Sequence, residues 1–276
     1  MVKESFQSLF FYFFMKKWFL LLIFVCSNLF GQISTNYYGP NAFPVPDMLD
    51  GKIKKTNFWI ETALVPGYYE DCTWTFSSGV CYNLDFISFN VWWDIAEFYN
   101  SSESWNNHTN SQIKGRGWGW GDVYVTTDFQ ILNENKNYIN LTLRSGLKTA
   151  SGGNSINHRF YDCPGYFFDS SIGKSFKYFE IIGNLGFLCW QTDVHRQNDA
   201  FMYGIMLKRE TDNYKINFSW EGYKGWQNNG DSPNVLKLNL ESKHKITNLY
   251  MGLNIGLNDW PYSEIYVGFK YNFLWK

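Results

Sequence analysis

The stretch Leu236-Lys-Leu-Asn-Leu-Glu241, followed by Leu249-Tyr-Met-Gly-Leu-Asn-Ile-Gly-Leu257, decides the fold of this chain. In both runs an apolar residue occupies every second position, with polar residues, tyrosine or glycine between. A period of two is typical of a β-strand with one apolar and one polar face. The same alternation recurs from Thr56 onward, so the sequence predicts an all-β, antiparallel structure.

Twelve segments show this alternation, with lengths near the ~10 residues that suit a tilted crossing of a bilayer. The predicted strands are 57–66, 72–82, 84–96, 121–133, 137–149, 165–177, 180–192, 200–211, 213–226, 233–244, 247–258 and 263–275. Connections after the even-numbered strands are short, whereas 97–120 and 150–164 are long. Short periplasmic turns and longer outer loops are typical of transmembrane β-barrels. An even strand count predicts that the N- and C-termini are both periplasmic.

The apolar face is predicted to point outward. Twelve strands enclose a lumen too wide for Leu and Ile side chains to fill, so the apolar residues are expected to meet lipid. Aromatic residues also gather at both ends of the predicted strands, for example Trp118 and Trp260 at one end and Tyr138 and Trp275 at the other. Two such belts are typical of proteins that cross a membrane.

The N-terminus contains one short apolar block. Lys16 and Lys17 precede the apolar run 18–25, which predicts a secretory signal peptide over 1–31, with Met15 as a possible true start. Residues 32–55 are interrupted by proline and lysine and are predicted to be an irregular periplasmic leader or a plug of the lumen. The transmembrane barrel is predicted over 56–276. The formal net charge of −1 argues against a nucleic-acid partner.

The polar face carries charges of both signs, which predicts a lumen without strong ion selectivity. Two interpretations stay open: a hydrated passage, or cross-strand ion pairs that stiffen and close the wall. The predicted register places Asp128 diagonal to Arg144 and Glu221 opposite Lys237. Asp94, Glu210 and Lys243 are predicted to share this face. The predicted pore-lining residues are Glu61, Asp122, Asp128, Arg144, Lys148, Asp169, Lys208, Lys215, Glu221, Lys237, Glu241, Glu264 and Lys270.

Two stretches resemble known families. The last predicted strand, which ends Tyr271-Asn-Phe-Leu-Trp275, resembles the C-terminal assembly signal of outer-membrane proteins, with the departure that Lys276 follows the aromatic residue. The stretch Gly119-Trp-Gly-Asp-Val-Tyr124 and the stretch Leu143-Arg-Ser-Gly146 loosely resemble the putative transporter family of the phenol-degradation meta-pathway. The resemblance implies insertion by the barrel-assembly machinery and a small-molecule channel. No functional residue carries over.

These observations favour a passive channel or transporter in the outer membrane of a Gram-negative bacterium. The expected partners are outer-membrane lipid, lipopolysaccharide and a small-molecule solute, and no cofactor, metal or catalytic residue is expected. One alternative is a lipid-modifying enzyme, because the predicted loop 150–164 contains Ser151, Ser155, His158 and Asp162, although nothing there orients the base. A closed structural or surface-binding barrel is the other.

Other candidate residues favour ordinary roles. The acids of the outer loops, Asp193, Asp199, Asp231 and Asp259, lack the spacing of a calcium loop and are expected to be solvated. Cys72, Cys81, Cys163 and Cys189 show no metal-ligand spacing, and they are expected to be free thiols or to form a disulfide after export.

Overall fold

The computed structural model describes residues 43–49, 51–53, 55–109, 115–152, 164–191, 197–227 and 230–273. The predicted signal peptide (1–31), the alternative start at Met15 and residues 32–42 of the predicted leader lie outside this part of the chain. No helix in the described ranges is long and apolar enough to cross a bilayer.

Twelve antiparallel strands close into a barrel, and a further short strand pairs beside it. Closure occurs between the first and last strands, where Glu61 lies opposite Gly268. The predicted fold class is confirmed. The strands are β1 (Asn57–Pro66), β2 (Cys72–Leu84), β3 (Ile87–Ser101), β4 (Gly115–Gly119), β5 (Val123–Leu132), β6 (Asn140–Lys148), β7 (Gly165–Ser175), β8 (Glu180–Gln191), β9 (Gln197–Glu210), β10 (Tyr214–Gly225), β11 (Asn234–Ser242), β12 (Thr247–Gly256) and β13 (Ser263–Asn272).

Apolar side chains cover the outside of the barrel, as strand β8 illustrates. Ile181 and Leu185 are 40% and 57% exposed, whereas Asn184 between them is 4% exposed. The polar residue points inward because successive side chains of a strand lie on opposite faces. This inverts the arrangement of a soluble protein and is that of a transmembrane β-barrel, whose outer surface meets lipid.

The two ends of the barrel differ. At one end, here called the short-turn end, strands are joined by residues 85–86, 133–139, 176–179, 211–213 and 243–246. The other, the long-loop end, has the connections 67–71, 102–122, 149–164, 192–196, 226–233 and 257–262. The tight turn 85–86 places Asp85 at a φ of 54°, a left-handed conformation that Asp tolerates better than most residues.

Strand β3 departs most from the prediction. The β2–β3 register shifts between Phe76, which pairs with Ala96, and Ser77, which pairs with Asp94. A β-bulge of this kind breaks the alternation on which the predicted end at residue 96 depended. β3 continues to Ser101, so the prediction of a plain loop over 97–120 was wrong. That segment contains the end of β3, the helix α1 (Glu103–Thr109) and β4.

The cysteines within the described ranges, Cys72, Cys81 and Cys189, form no disulfide with one another. Cys163 lies outside the described residues. Cys81 and Cys189 are buried and Cys72 is partly buried, as is usual for cysteines that pack as small apolar residues.

Candidate functional site in the barrel lumen

All thirteen predicted pore-lining residues are buried or partly buried. Seven of them line one central cavity. Their role in conduction remains a prediction. The seven are Glu61, Asp128, Arg144, Lys237, Glu241, Glu264 and Lys270.

Each basic residue that the sequence places on the inner face forms an ion pair. Lys208 Nζ lies 3.2 Å from Oε2 of Glu180, and Lys270 Nζ lies 2.8 Å from Oε1 of Glu241. These cations therefore neutralise carboxylates of the wall. The remaining pairs are Arg144–Asp169, Lys148–Asp122, Lys215–Glu241, Lys237–Glu221 and Lys243–Glu210.

The register differs from the prediction at both charged pairs. Arg144 lies directly opposite Asp128 on β5, where a diagonal position was expected. Its bidentate partner is Asp169, on the neighbouring strand β7. Glu221 lies opposite Val235 and is diagonal to Lys237, where a direct opposition was expected. The Lys237–Glu221 ion pair still forms, at 2.9 Å, because long side chains reach a diagonal neighbour.

The described residues 43–49 and 51–53, together called residues 43–53 below, contact the inner wall from one end of the barrel to the other. At the long-loop end, the ring of Phe43 lies 6.1 Å from the ring of Trp190, measured between centroids. The hydroxyl of Tyr223 donates to the carbonyl oxygen of Phe43 at 3.2 Å. A side chain at Gly165, the first residue of β7, would clash with the Phe43 ring. The absence of a Cβ there is what lets the aromatic ring pack against the backbone.

Farther along, wall side chains bind the backbone of this segment. Lys237 Nζ donates to the carbonyl oxygen of Val45 at 3.2 Å and pairs with Asp47. The amide of Met48 donates to Oε2 of Glu221 at 3.2 Å, while its side chain packs against Ile182 and Met206. The segment is thus fixed by both polar and apolar contacts in mid-lumen.

The segment reaches the short-turn end at Gly51 and Ile53. Gln130, near the end of β5, accepts a hydrogen bond from the amide of Ile53 at 3.1 Å and donates to the carbonyl oxygen of Gly51 at 3.3 Å. Gly51 has a φ of +79°, which favours glycine. β1 begins shortly afterwards, at Asn57. Residues 43–53 therefore run along the lumen from the long-loop end to the short-turn end.

A cavity of about 360 Å³ remains in the lumen. Seven acidic and three basic side chains line it. The basic ones, Arg144, Lys237 and Lys270, are all in ion pairs. Four acids, Glu61, Asp94, Asp128 and Glu264, form no ion pair with a lysine or arginine of the described ranges. The cavity is therefore acidic, although the sequence predicted near balance of charge in the lumen.

The sequence-based prediction of the lumen missed its aromatic residues. Trp59, Trp92, Tyr124, Tyr250 and Tyr266 line the same cavity. Trp92 and Tyr124 stack with centroids 4.9 Å apart and an interplanar angle of 4°. The alternation itself contained the signal, since Tyr250 lies between the outward-facing residues Leu249 and Met251. The predicted pore-lining residues are all charged and therefore do not include these aromatic residues.

Two acids of the long-loop end are buried. Asp231 and Asp259 are 5% and 4% exposed, so the prediction that they are solvated was wrong. Asp231 accepts a hydrogen bond from Asn198 at 3.1 Å, and Asp259 accepts one from the amide of Ser232 at 3.1 Å. Burial raises the pKa of Asp259, the Ser232 hydrogen bond opposes this, and the nearby Asp231 carboxylate adds to it.

Metal-binding and catalytic candidates are few in the described part. Within it, no group of three or more His, Cys, Asp or Glu side chains is placed to hold a metal ion. Asp193 lies outside it, as do Ser155, His158 and Asp162 of the enzyme alternative. Ser151 is described, and its hydroxyl interacts with Thr149 at 2.7 Å.

Comparisons with known proteins show the fold. No family model matches the sequence, including that of the phenol-degradation transporters that it loosely resembles. No curated protein matches it. A KdgM porin in complex with disordered oligogalacturonate is similar in structure, with a TM-score of 0.52, 9% identity and coverage of 79% of this chain and 99% of the porin. The transport unit of the autotransporter AIDA-I from Escherichia coli has a TM-score of 0.52 and 8% identity, over 85% of this chain and 95% of that unit. This is the fold of an outer-membrane β-barrel.

Proposed function

We propose that the protein is a passive channel for small molecules in the outer membrane of a Gram-negative bacterium, partly filled by its own N-terminal segment. The observation that carries this proposal is the polar cavity of about 360 Å³ beside residues 43–53. A barrel whose only role is structural needs no acidic, aromatic-lined space at its centre. The lumen of a channel, in contrast, must stay hydrated and accept solutes.

Residues 43–53 act as the plug of this channel. They contact β5, β7, β8, β10 and β11 along the length of the lumen, and Phe43, Val45, Met48 and Leu49 are buried. Because this segment is not part of the barrel's hydrogen-bonded ladder, it can move while the twelve strands stay paired. Conduction is therefore expected to depend on how tightly the segment is held.

The orientation follows from the two ends of the barrel. Short turns face the periplasm and longer loops face outward in outer-membrane barrels, which places the C-terminus of β13 on the periplasmic side. Phe43 then lies toward the outer end of the lumen and Asn57 toward the periplasmic end.

The lipid-facing surface is expected to contact outer-membrane lipid and lipopolysaccharide. Its exposed apolar side chains, such as Leu185, form the surface that such contacts require. Insertion by the barrel-assembly machinery is expected from the C-terminal strand. Of the residues that suggested a lipid-modifying enzyme, the structure describes Ser151, whose hydroxyl interacts with that of Thr149 at 2.7 Å and accepts a hydrogen bond from the amide of Val123 at 3.2 Å. Neither contact is with a general base.

Single-channel recording in planar bilayers tests the proposal with two complementary variants. Deletion of 43–49 should give stepwise conductance larger than that of the wild type. The double variant Met48→Cys/Gly204→Cys should do the opposite under oxidising conditions. A Cβ at Gly204 would approach Met48 Cγ to 3.1 Å, so a disulfide is within reach.

Reduction of the cross-linked double variant should restore wild-type conductance, and each single cysteine variant serves as its control. If the deletion variant folds and gives a flat trace, the channel function is wrong and the closed structural barrel replaces it. Equal conductance of the wild type, the deletion and the oxidised double variant would show that residues 43–53 are not a plug.

A further inference from the structure

We infer that the lumen cavity is a binding site for small organic cations, such as primary or quaternary amines. The site rests on the proposed channel function for its biological role, because a cation held in mid-lumen matters most to a protein that passes solutes. The binding chemistry itself depends only on the side chains that surround the cavity.

The first observation is a set of three carboxyl groups in the cavity that no basic side chain of the described ranges neutralises. Glu61, Asp94 and Glu264 receive hydrogen bonds from neutral groups only: the Tyr250 hydroxyl, Ser77 at 2.6 Å and Asn254 at 2.6 Å, respectively. No lysine or arginine of the described ranges pairs with them. A cation that enters this space would pair with these carboxyl groups and favour their ionised form.

The second observation is a buried acceptor that lacks a partner. Asp128 lines the cavity and is 1% exposed. Its Oδ2 accepts hydrogen bonds from Ser88 at 3.1 Å and from Asn90 at 2.9 Å, but Oδ1 has no hydrogen-bond partner. A buried carboxylate oxygen without a donor is costly, and the N–H of a primary ammonium group or the hydroxyl of choline would supply that donor.

The third observation selects an organic cation over a bare metal ion. The ring of Tyr266 lies against Gly252, where an added Cβ would meet the ring within 2.2 Å, and it lines the cavity. The neighbouring ring of Tyr250 already has Lys270 Nζ 5.3 Å from its centre, so Tyr266 is the ring that a ligand cation would contact. Aromatic faces attract ammonium groups within about 6 Å of the ring centre. A metal ion would instead require a shell of oxygen ligands.

The size of the cavity agrees with this class of ligand. Small-molecule sites typically occupy roughly 300–1,000 Å³, and this cavity is at the lower end, at about 360 Å³. The site thus accommodates a molecule of a few carbon atoms around a cationic nitrogen. A large oligosaccharide or a peptide would not fit beside residues 43–53.

Binding of choline to the full-length protein in detergent micelles tests the inference by isothermal titration calorimetry. The matched probe is 3,3-dimethyl-1-butanol, which has the shape of choline without its charge. Choline should bind, and the neutral probe should bind at least about tenfold more weakly. The triple variant Glu61→Gln/Asp94→Asn/Glu264→Gln should lose this preference. Glu210→Gln, at the end of β9 and outside the cavity, should keep it.

A second pair of variants separates a ring contact from simple packing. Tyr266→Phe retains the aromatic face and should bind choline nearly as the wild type does, whereas Tyr266→Leu should weaken binding by roughly two- to thirtyfold, the range of one cation–π contact. Equal affinity for choline and its neutral analogue, or undiminished binding by the triple variant, would overturn the inference. Calorimetry measures binding independently of conductance. If choline binds to a barrel that never conducts, the proposed channel function is wrong but the binding site remains.

Discussion

Arg144 and Asp169 form a bidentate ion pair across β6 and β7. Arg144 Nε donates to Oδ1 at 2.7 Å, and its second donor lies 2.9 Å from Oδ2. Their side chains are 7% and 0% exposed. The guanidinium also lies 4.9 Å from the centre of the Phe167 ring. Arg144 is therefore a structural element of the wall as much as a lumen charge.

Loss of Arg144 should destabilise the barrel strongly. Arg144→Met leaves Asp169 and the opposing Asp128 together without their cation, and breaking a buried ion pair costs about 3–5 kcal/mol. The double variant Arg144→Met/Asp169→Leu removes the charge of one acid too and should recover part of the loss. Urea unfolding in detergent micelles measures both. A double variant less stable than the single variant would contradict this account.

The outward direction of the apolar face gives a second prediction. Leu143 precedes Arg144 on β6 and is 41% exposed on the outer surface. Leu143→Arg should cost ~2–4 kcal/mol if the site lies near the middle of the bilayer. Leu143→Phe keeps an apolar side chain and should cost little. Unfolding in lipid vesicles measures the difference, and equal stability of the two variants would show that this face does not meet lipid.

The strands could be predicted from the sequence because the membrane imposes a regular pattern. An outward residue such as Leu185 must be apolar and its neighbour Asn184 must not be, so alternation marks both the strand and its faces. Most predicted strand ends lie within a few residues of the observed ones. The prediction failed at Phe76/Ser77, because a bulge changes the register without leaving a distinct sequence pattern.

The site was harder to predict than the barrel. The inner face was identified, but the choice of partners depends on register and on side-chain reach, and Asp47 of the leader takes part in the Lys237 pair. Counting the charges on the inner face therefore could not predict that Glu61, Asp94 and Glu264 form no ion pair with a described lysine or arginine. The aromatic lining was visible in the alternation, but only the three-dimensional neighbourhood brings Tyr250 and Tyr266 to one cavity.

Two loop carboxylates should respond to pH with opposite signs. Burial raises the pKa of Asp259 above its value in the unfolded chain. As the pH rises, this carboxyl group therefore ionises at a lower pH in the unfolded state than in the folded state. Asp259 thus destabilises the fold at pH values above its unfolded-state pKa. The pKa of Glu134 is lowered by its hydrogen bond to Lys174, so this group stabilises the fold at neutral pH, and the contribution is lost on acidification.

Isosteric amides test these signs through unfolding experiments at several pH values. At neutral pH, Asp259→Asn should be more stable than the wild type, and Glu134→Gln should be less stable. Both stability differences from the wild type should become small at about pH 3, where carboxyl groups are mostly protonated. Asn also tolerates the φ of 50° at position 259. The same sign for both variants at neutral pH would contradict the assignment.

The anchoring of the leader gives the last prediction. Phe43 is 2% exposed and packs against Trp190 at the long-loop end of the lumen. Phe43→Ala removes this contact, which typically costs about 3–5 kcal/mol for a buried ring. The cost should be confined to the leader, because β1–β3 and β5–β13 keep every hydrogen bond of their ladder. Local opening of residues 43–49 should therefore become more frequent while the barrel stays folded.

Hydrogen exchange measured by mass spectrometry reports this directly. In Phe43→Ala, the amides of Val45, Asp47, Met48 and Leu49 should exchange about a hundredfold faster or more, including the Met48 amide that donates to Glu221. Tyr223→Phe keeps the ring, removes the hydrogen bond that the hydroxyl donates to the Phe43 carbonyl oxygen, and should accelerate exchange roughly two- to tenfold. Amides of β10, which form the wall beside the leader, should be unaffected in both variants. Equal acceleration in β10 and in the leader would mean that the leader and the barrel open as one unit, and a plug that moves independently would then have no physical basis.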